Sequence, residues 1–302
     1  MIRMRRVPAT AALAVLVATL ATACSGPGGQ PAPAPASAGS CHAGVSGAEN
    51  WIMGSGELSA AQAAGASSVR YAVGSAHLFV LLLRGQTSRA GQEVADFRSY
   101  AELKKMIRQG TIAPGIRWVM YDNEQWSLTP ADEQADPVHY EQLFARLAHR
   151  QGYKVILAPA QDLVPGFDKN SFRAGQAVWP SYLSMGLAAA SARAADIYEI
   201  QAQPYEMSVY RSQHAYADFV AAAAAQARAA NPGVVIYAGL STQRVSSAAQ
   251  LLQDYETTRN LVDGYWLNIP RHDQPGPPGL ADQFLRTIPA SASASAATCA
   301  GA

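Results

Sequence analysis

The chain has 302 residues, 49% of them hydrophobic and 15% charged, which is enough apolar content to bury a large core and too much for an intrinsically disordered chain. Its 23 Lys and Arg against 22 Asp and Glu leave a formal charge of +1. No basic stripe interleaved with aromatics appears, which argues against a nucleic-acid partner.

The first segment reads as an address. Met1 to Arg6 carries Arg3, Arg5 and Arg6, Ala11 to Leu20 is an apolar run, and Ala21-Thr22-Ala23-Cys24 follows, the order of a signal peptide over residues 1–23. The apolar run is about half the ~20 residues a spanning helix needs. Ala-Thr-Ala-Cys resembles the lipobox of bacterial lipoproteins, which implies a lipid on Cys24 and a protein held at the outer face of a membrane. Plain cleavage and secretion is the alternative. Removal of residues 1–23 takes away three positive charges, 23 − 3 = 20 against 22, and leaves a formal −2.

Residues 24–40, rich in Pro, Ala and Gly, cannot bury a core and read as a tether. Cys41 and Cys299 then bracket nearly all of the remaining chain, residues 41–302. In an exported protein they are expected to form a disulfide.

From Cys41 onward, short β-branched runs alternate with amphipathic stretches, the pattern of an α/β fold. The strong strand candidates are His77 to Arg84, Arg117 to Glu124, Lys154 to Ala160, Asp196 to Gln203, Val234 to Leu240 and Gly264 to Pro270; weaker ones lie at Trp51 to Met53 and Val69 to Val73. Helix patterns cover Ser99 to Arg108, the stretch that Asp136 and Pro137 open and Gly152 closes, Ala215 to Ala230, and Ser246 to Thr257. About eight strand–helix units in a single domain suit a closed (β/α)8 TIM-like barrel.

No cofactor is expected. Gly54-Ser55-Gly56 lacks the third glycine of a dinucleotide loop, and there is no phosphate-binding loop, no His-Glu-x-x-His and no cysteine pair spaced for zinc. The nucleophile elbow of serine hydrolases is missing too. Any chemistry must come from carboxylates, amides and aromatics.

In such a barrel the working site is built from the C-terminal ends of the strands, and these ends are polar. Strand alternation puts Trp118, Met120, Asp122 and Glu124 on one face and Glu199, Gln201 and Gln203 on another. Two carboxylates two residues apart stand roughly 7 Å from each other. Asp162, Ser241, Thr242 and Asn268 end other runs. Unpartnered burial of so many polar groups costs several kcal/mol, so they must satisfy one another, bind water or face a ligand. Glu124, Glu199 and Asp122 are the candidate catalytic carboxyls; Trp126, Gln201, Gln203, Asp162, Asn268, Trp266 and Tyr121 are the candidate substrate contacts, with Tyr265 a further stacking face.

Asp122-Asn123-Glu124 at a strand end, with Tyr265-Trp266 on the last strand, resembles the catalytic strand of barrel glycoside hydrolases, loosely the chitinase-like families. That resemblance implies Glu124 as general acid and Asp122 as the residue that orients the substrate, although the family's upstream aspartate is lacking here. The domain also resembles uncharacterised exported actinobacterial proteins that share Tyr-Asp-x-Glu-x-Trp followed by Thr-Pro and Glu-Gln-x-Asp-Pro, here Thr129-Pro130 and Glu133 to Pro137. Three readings stay open. Glu124 and Glu199 act as a hydrolytic pair about 5 to 9.5 Å apart on a poly- or oligosaccharide; the mouth binds a carbohydrate or small polar ligand without chemistry, its carboxylates tied up by arginines such as Arg84 or Arg244; or Asp122, Glu124 and Glu199 hold a divalent cation. Glu133 and Asp136 are expected to cap the following helix.

Overall fold

A computed structural model of the chain describes residues 50–56, 58–59, 78–82, 91–269 and 277–288. The expected signal segment, the tether, Cys24, Cys41, Cys299, Arg84 and the expected strand Val69 to Val73 lie outside these residues.

Eight parallel strands, β1 Asn50–Gly54, β2 Leu78–Leu82, β3 Gln92–Phe97, β4 Trp118–Tyr121, β5 Lys154–Leu157, β6 Ile197–Ile200, β7 Val235–Ser241 and β8 Gly264–Asn268, pair in chain order. The register of Trp51 against Tyr265 joins the first to the last and closes the barrel. Among the described residues the helices of eight or more residues are α1 Tyr100–Gln109, α2 Pro137–Arg150, α3 Leu187–Ala194, α4 Ala215–Ala230, α5 Ala248–Thr258 and α6 Pro277–Thr287. The fold is therefore the expected (β/α)8 barrel.

Strand alternation divides the core in two. Ile52, Leu81, Val94, Met120, Ile156, Ile197, Tyr237 and Trp266 fill the barrel interior. The residues of opposite parity, Phe97, Val119, Tyr121, Val155 and Leu157, pack outward against Leu103, Phe144 and Ala148 of the helices. The side chains at positions 96, 98, 122, 124, 199 and 201 continue the inward parity toward the C-terminal mouth.

β3 has no counterpart among the expected strands. Its sequence Gln-Glu-Val-Ala-Asp-Phe buries only Val94 and Phe97 fully, so it carries no hydrophobic run to mark it. Backbone hydrogen bonds carry the ladder past the formal strand ends: Asp122 N–H donates to Phe97 O, Ala158 N–H to Tyr121 O and Ala160 N–H to Asn123 O. Asp122 and Asn123 are thus fixed by the sheet although β4 stops at Tyr121.

Helix caps set the loops above the barrel. The Ser99 hydroxyl accepts from Glu102 N–H at 3.0 Å at the start of α1, and the Asp136 carboxylate accepts from His139 N–H at 3.2 Å at the start of α2. Glu133 does something else than expected. Fully buried, it accepts from Tyr100 N–H at 2.7 Å, Ala101 N–H at 3.0 Å and the Tyr121 hydroxyl at 2.7 Å, so it caps α1 and not the helix that follows it. We expect Ser99→Ala to lower stability by about 1 kcal/mol, as loss of a single cap does, in urea denaturation. No change would show that Glu133 alone holds this terminus.

A candidate polar site at the barrel mouth

The site is built on three strands. β3 runs into Asp96 and Arg98, β4 into Asp122 and Glu124, and β6 supplies Glu199 and leads to Gln201. Arg98 Nη1 pairs with Asp96 Oδ2 at 2.8 Å and also contacts Asp122 Oδ2. The other oxygen of Asp122 accepts from Gln201 Nε2 at 2.7 Å, and the same amide donates to Ala158 O at 2.7 Å. One guanidinium and one amide thus bridge β3, β4, β5 and β6 above the apolar floor. Two N–H groups from different strands fix Asp122 far more tightly than a surface ion pair could.

Trp126 joins this frame from above. Arg98 stacks on its ring at 5.1 Å; its indole N–H donates to Thr129 Oγ1 at 2.8 Å, and Thr129 Oγ1 donates to Arg98 O at 2.8 Å. The ring therefore holds Arg98 by cation–π attraction. Arg98 is the residue that strand reading missed. The available signal was the period-two row Gln92, Val94, Asp96, Arg98, the same progression from apolar to charged as Trp118, Met120, Asp122, Glu124.

The electrostatics follow from burial. Burial pushes the Asp122 carboxyl above its ordinary value, with Arg98 and Gln201 pulling against it. Glu124, only partly exposed, is pushed up to about 9, first by desolvation and then by Asp122 and Asp162. Glu199 is fully buried and raised well above the carboxylate range by desolvation and by the charges of Asp122 and Glu124. At neutral pH Glu124 and Glu199 therefore carry protons, and Glu124 presents an acidic O–H at the rim.

The remaining candidates divide. Asp162 accepts from Gln125 N–H at 2.9 Å and so fixes the loop after Glu124. Gln203 is nearly buried and lies across Gly239, where an added Cβ would come within 2.1 Å of the amide carbon. Glycine is required there by this contact. We expect Gly239→Ala to cost about 1–3 kcal/mol by overpacking. Thermal denaturation checks this, and an unshifted midpoint would mean that Gln203 swings aside freely. Asn268 is half-buried at the end of β8, with its carbonyl accepting from Thr242 N–H at 3.1 Å.

Several expected contacts are corrected. Tyr121 does not face the mouth: it is fully buried on the outer side of β4, stacked on Phe144 at 4.7 Å, with its hydroxyl on Glu133. Tyr265 likewise points outward, its hydroxyl 3.0 Å from Thr258 Oγ1. Trp266 does point inward, but as a 7% exposed member of the interior cluster, so it is floor and not a platform. The arginine that ties up a carboxylate is Arg98 and not Arg244, which is exposed on the loop after β7.

Among the described residues no three His, Cys, Asp or Glu side chains are gathered to hold a metal ion, so Asp122, Glu124 and Glu199 are not brought together as a ligand set.

No family model matches the chain, and no curated protein does. Solved structures with a similar course include a Schiff-base-forming fructose-1,6-bisphosphate aldolase, with 10% identity, a TM-score of 0.42, and 78% of this chain and 94% of that chain covered. Another is an archaeal fructose-1,6-bisphosphate aldolase whose catalytic lysine holds the carbinolamine intermediate, with 11% identity, a TM-score of 0.43 and the same coverage. A likeness this low carries no chemistry across, and barrels host many chemistries. The chain's lysines, Lys104, Lys105, Lys154 and Lys169, are all exposed, and the one on a strand, Lys154, opens β5 at the opposite end and pairs with Asp196 at 2.6 Å.

The expected carboxylate glycoside hydrolase is corrected. The site itself lacks what retaining or inverting hydrolysis needs: Glu199, the second carboxyl, exposes no surface, and Asp122 is committed to Arg98 and Gln201. Two of the aromatic faces stand behind the barrel wall.

Proposed function

We propose that the C-terminal mouth of the barrel binds a small polar ligand, with Glu124 as its proton-carrying contact and Asp122, Arg98 and Gln201 as a rigid frame around it. The observation that carries this reading is the partly exposed Glu124 carboxyl, pushed up to about 9, beside a guanidinium locked between two carboxylates and a tryptophan. A neutral acid at the rim of a nearly dry polar layer is costly to keep unless a ligand uses it. Asp162 supports the site by fixing the Gln125 N–H, and Gln203 and Asn268 complete its rim.

The same proposal places the protein outside the cell, anchored through a lipid on Cys24, because the arginine-rich start, the apolar run and Ala-Thr-Ala-Cys follow one another in the order such processing requires. Incorporation of labelled palmitate that is lost in Cys24→Ala supports the anchor, and incorporation unchanged in that variant removes it.

Binding is tested by thermal denaturation of the full chain against polyols, amides, carboxylates and organic cations, beside Glu124→Gln and Asp162→Asn. A class of compound that raises the melting temperature of the wild type and loses at least half of that shift in Glu124→Gln supports the reading. Equal shifts in both proteins place the ligand elsewhere.

A further inference from the structure

The N-terminal end of the barrel, opposite the mouth, carries its charge unevenly. Most of the helices finish here on a basic residue, which complements the helix dipole and by itself needs no partner. On the β7–β8 side of this rim the cations are taken up locally. Arg228 Nη1 donates to Leu261 O at 2.6 Å, Arg259 lies 3.5 Å from Glu256, and Arg286 lies 2.9 Å from Asp282. On the β4–β6 side they are not. Arg108 and Arg193 lie in the last turns of α1 and α3, Arg150 ends α2, and Arg117 leads into β4. All four are exposed, and none has an ion pair among the described residues. Because α2 packs against both α1 and α3, and Lys154 N–H donates to Arg117 O at 2.8 Å where β4 and β5 begin, they stand side by side. The acids of this part of the rim, among the described residues, are Asp196, held by Lys154 at 2.6 Å and His149 at 2.9 Å, and the half-buried Glu93 at the start of β3. Arg117 stands at no helix end, so the helix dipole does not account for it. The mouth end is mixed by contrast: exposed Asp132, Asp136, Asp168 and Asp218 stand among Lys169, Arg173 and Arg244.

We propose that the face around Arg108, Arg117, Arg150 and Arg193 docks on an anionic lipid surface, with the mouth of the barrel turned away into solvent. The choice of a lipid surface as the occupant rests on the reading that Cys24 carries an anchor. β1 begins at Asn50 on this same end of the barrel, so the chain that follows Cys24 joins the domain on the arginine face. Guanidinium groups fit headgroup phosphates with paired N–H donors. Each cation near an anionic surface strengthens attachment about fivefold. The chain without residues 1–23 has a formal charge of −2, so the attraction belongs to this patch and not to the net charge.

The test is cosedimentation of the full chain carrying Cys24→Ala, so that no lipid is attached. The probes are vesicles of phosphatidylglycerol with phosphatidylcholine, vesicles of phosphatidylcholine alone, and a DNA duplex. Two triple variants remove the same charge: Arg117→Gln, Arg150→Gln and Arg193→Gln on the face, and Lys169→Gln, Arg173→Gln and Arg244→Gln at the mouth end. The parent chain is expected to prefer the anionic vesicles, and to lose that preference as added salt shortens the Debye length from ~10 Å at about 0.1 M to ~3 Å at about 1 M. The face variant is expected to bind them about a hundredfold more weakly, whereas the mouth variant keeps most of its affinity. Melting temperatures report that both variants fold, and Arg117→Gln alone, away from any helix end, is expected to weaken binding about fivefold. Equal losses in the two triple variants make the attraction one of bulk charge and overturn the docking face. Unchanged binding in the face variant, through Arg3, Arg5 and Arg6 for example, overturns it too, and so does binding of the duplex without binding of the vesicles. Absence of vesicle binding removes the docking face and leaves the anchor standing, since palmitate incorporation at Cys24 decides the anchor separately.

Discussion

Arg98→Ala is expected to lower the stability of the barrel by about 3–5 kcal/mol at pH 7, the cost of stranding a buried charge by deleting its partner. The Arg98 side chain is 22% exposed and that of Asp122 4%, so solvent cannot replace the guanidinium. Removing it leaves Asp122 with the Gln201 amide as its remaining side-chain donor among the described residues and frees Trp126 from its cation. The sign with pH is fixed. Asp122 already has a folded pKa above its ordinary value, and loss of Arg98 raises it further. The gap therefore opens as pH rises through the native wild-type value of Asp122, which lies above the ordinary value of about 4, and below it only the loss of the Trp126 contact remains. Urea denaturation of both proteins between pH 4 and pH 7 should show a gap that opens with pH. A constant gap under about 1 kcal/mol, within the range of a surface ion pair, would mean that Asp122 is not held by Arg98.

Glu141→Gln is expected to do the opposite and stabilise the protein in neutral and mildly basic solution. Glu141 is completely buried on α2, where it accepts from Ser191 Oγ at 2.7 Å, and burial pushes its carboxyl up to about 8. Its unfolded value is about 4.3. Between these two values the native state binds one proton more than the unfolded chain, so wild-type stability falls by about 1.4 kcal/mol per pH unit from this group and levels off beyond about pH 8. Glutamine keeps the acceptor for Ser191 and carries no titrating proton. The difference between variant and wild type should therefore grow with pH to roughly 3–5 kcal/mol and then stay level. Parallel stability curves from pH 5 to pH 9 would show that Glu141 is ionised in the native state.

The barrel was legible where strands are apolar. β2, β5 and β7 are short, largely apolar runs, and helices of the barrel announce themselves by caps such as Ser99 and Asp136. β3 was not, because Gln92, Asp96 and Arg98 carry its polar function on the inward face and leave only Val94 and Phe97 to be read as hydrophobic. Missing that strand also hid Arg98, the charge around which Asp122 is built. The inward row of Trp118, Met120, Asp122 and Glu124 was legible from alternation alone. Tyr121 and Tyr265 were misread for a related reason: adjacent residues of a strand face opposite ways, and both are of outward parity. What alternation cannot supply is which partner satisfies each polar group, since Gln201 meets Asp122 across a distance of 79 residues in sequence.

The protonation state of Glu124 is the point on which the site turns, because a neutral acid at the rim is what distinguishes a ligand-ready mouth from a set of structural carboxylates. Titration of the full chain labelled with carbon-13 at the glutamate carboxyls, followed by NMR and assigned with Glu124→Gln, measures it directly. The account predicts a Glu124 midpoint near 9, separate from the Glu141 resonance near 8. A Glu124 midpoint near the ordinary glutamate value of about 4.3 would contradict it.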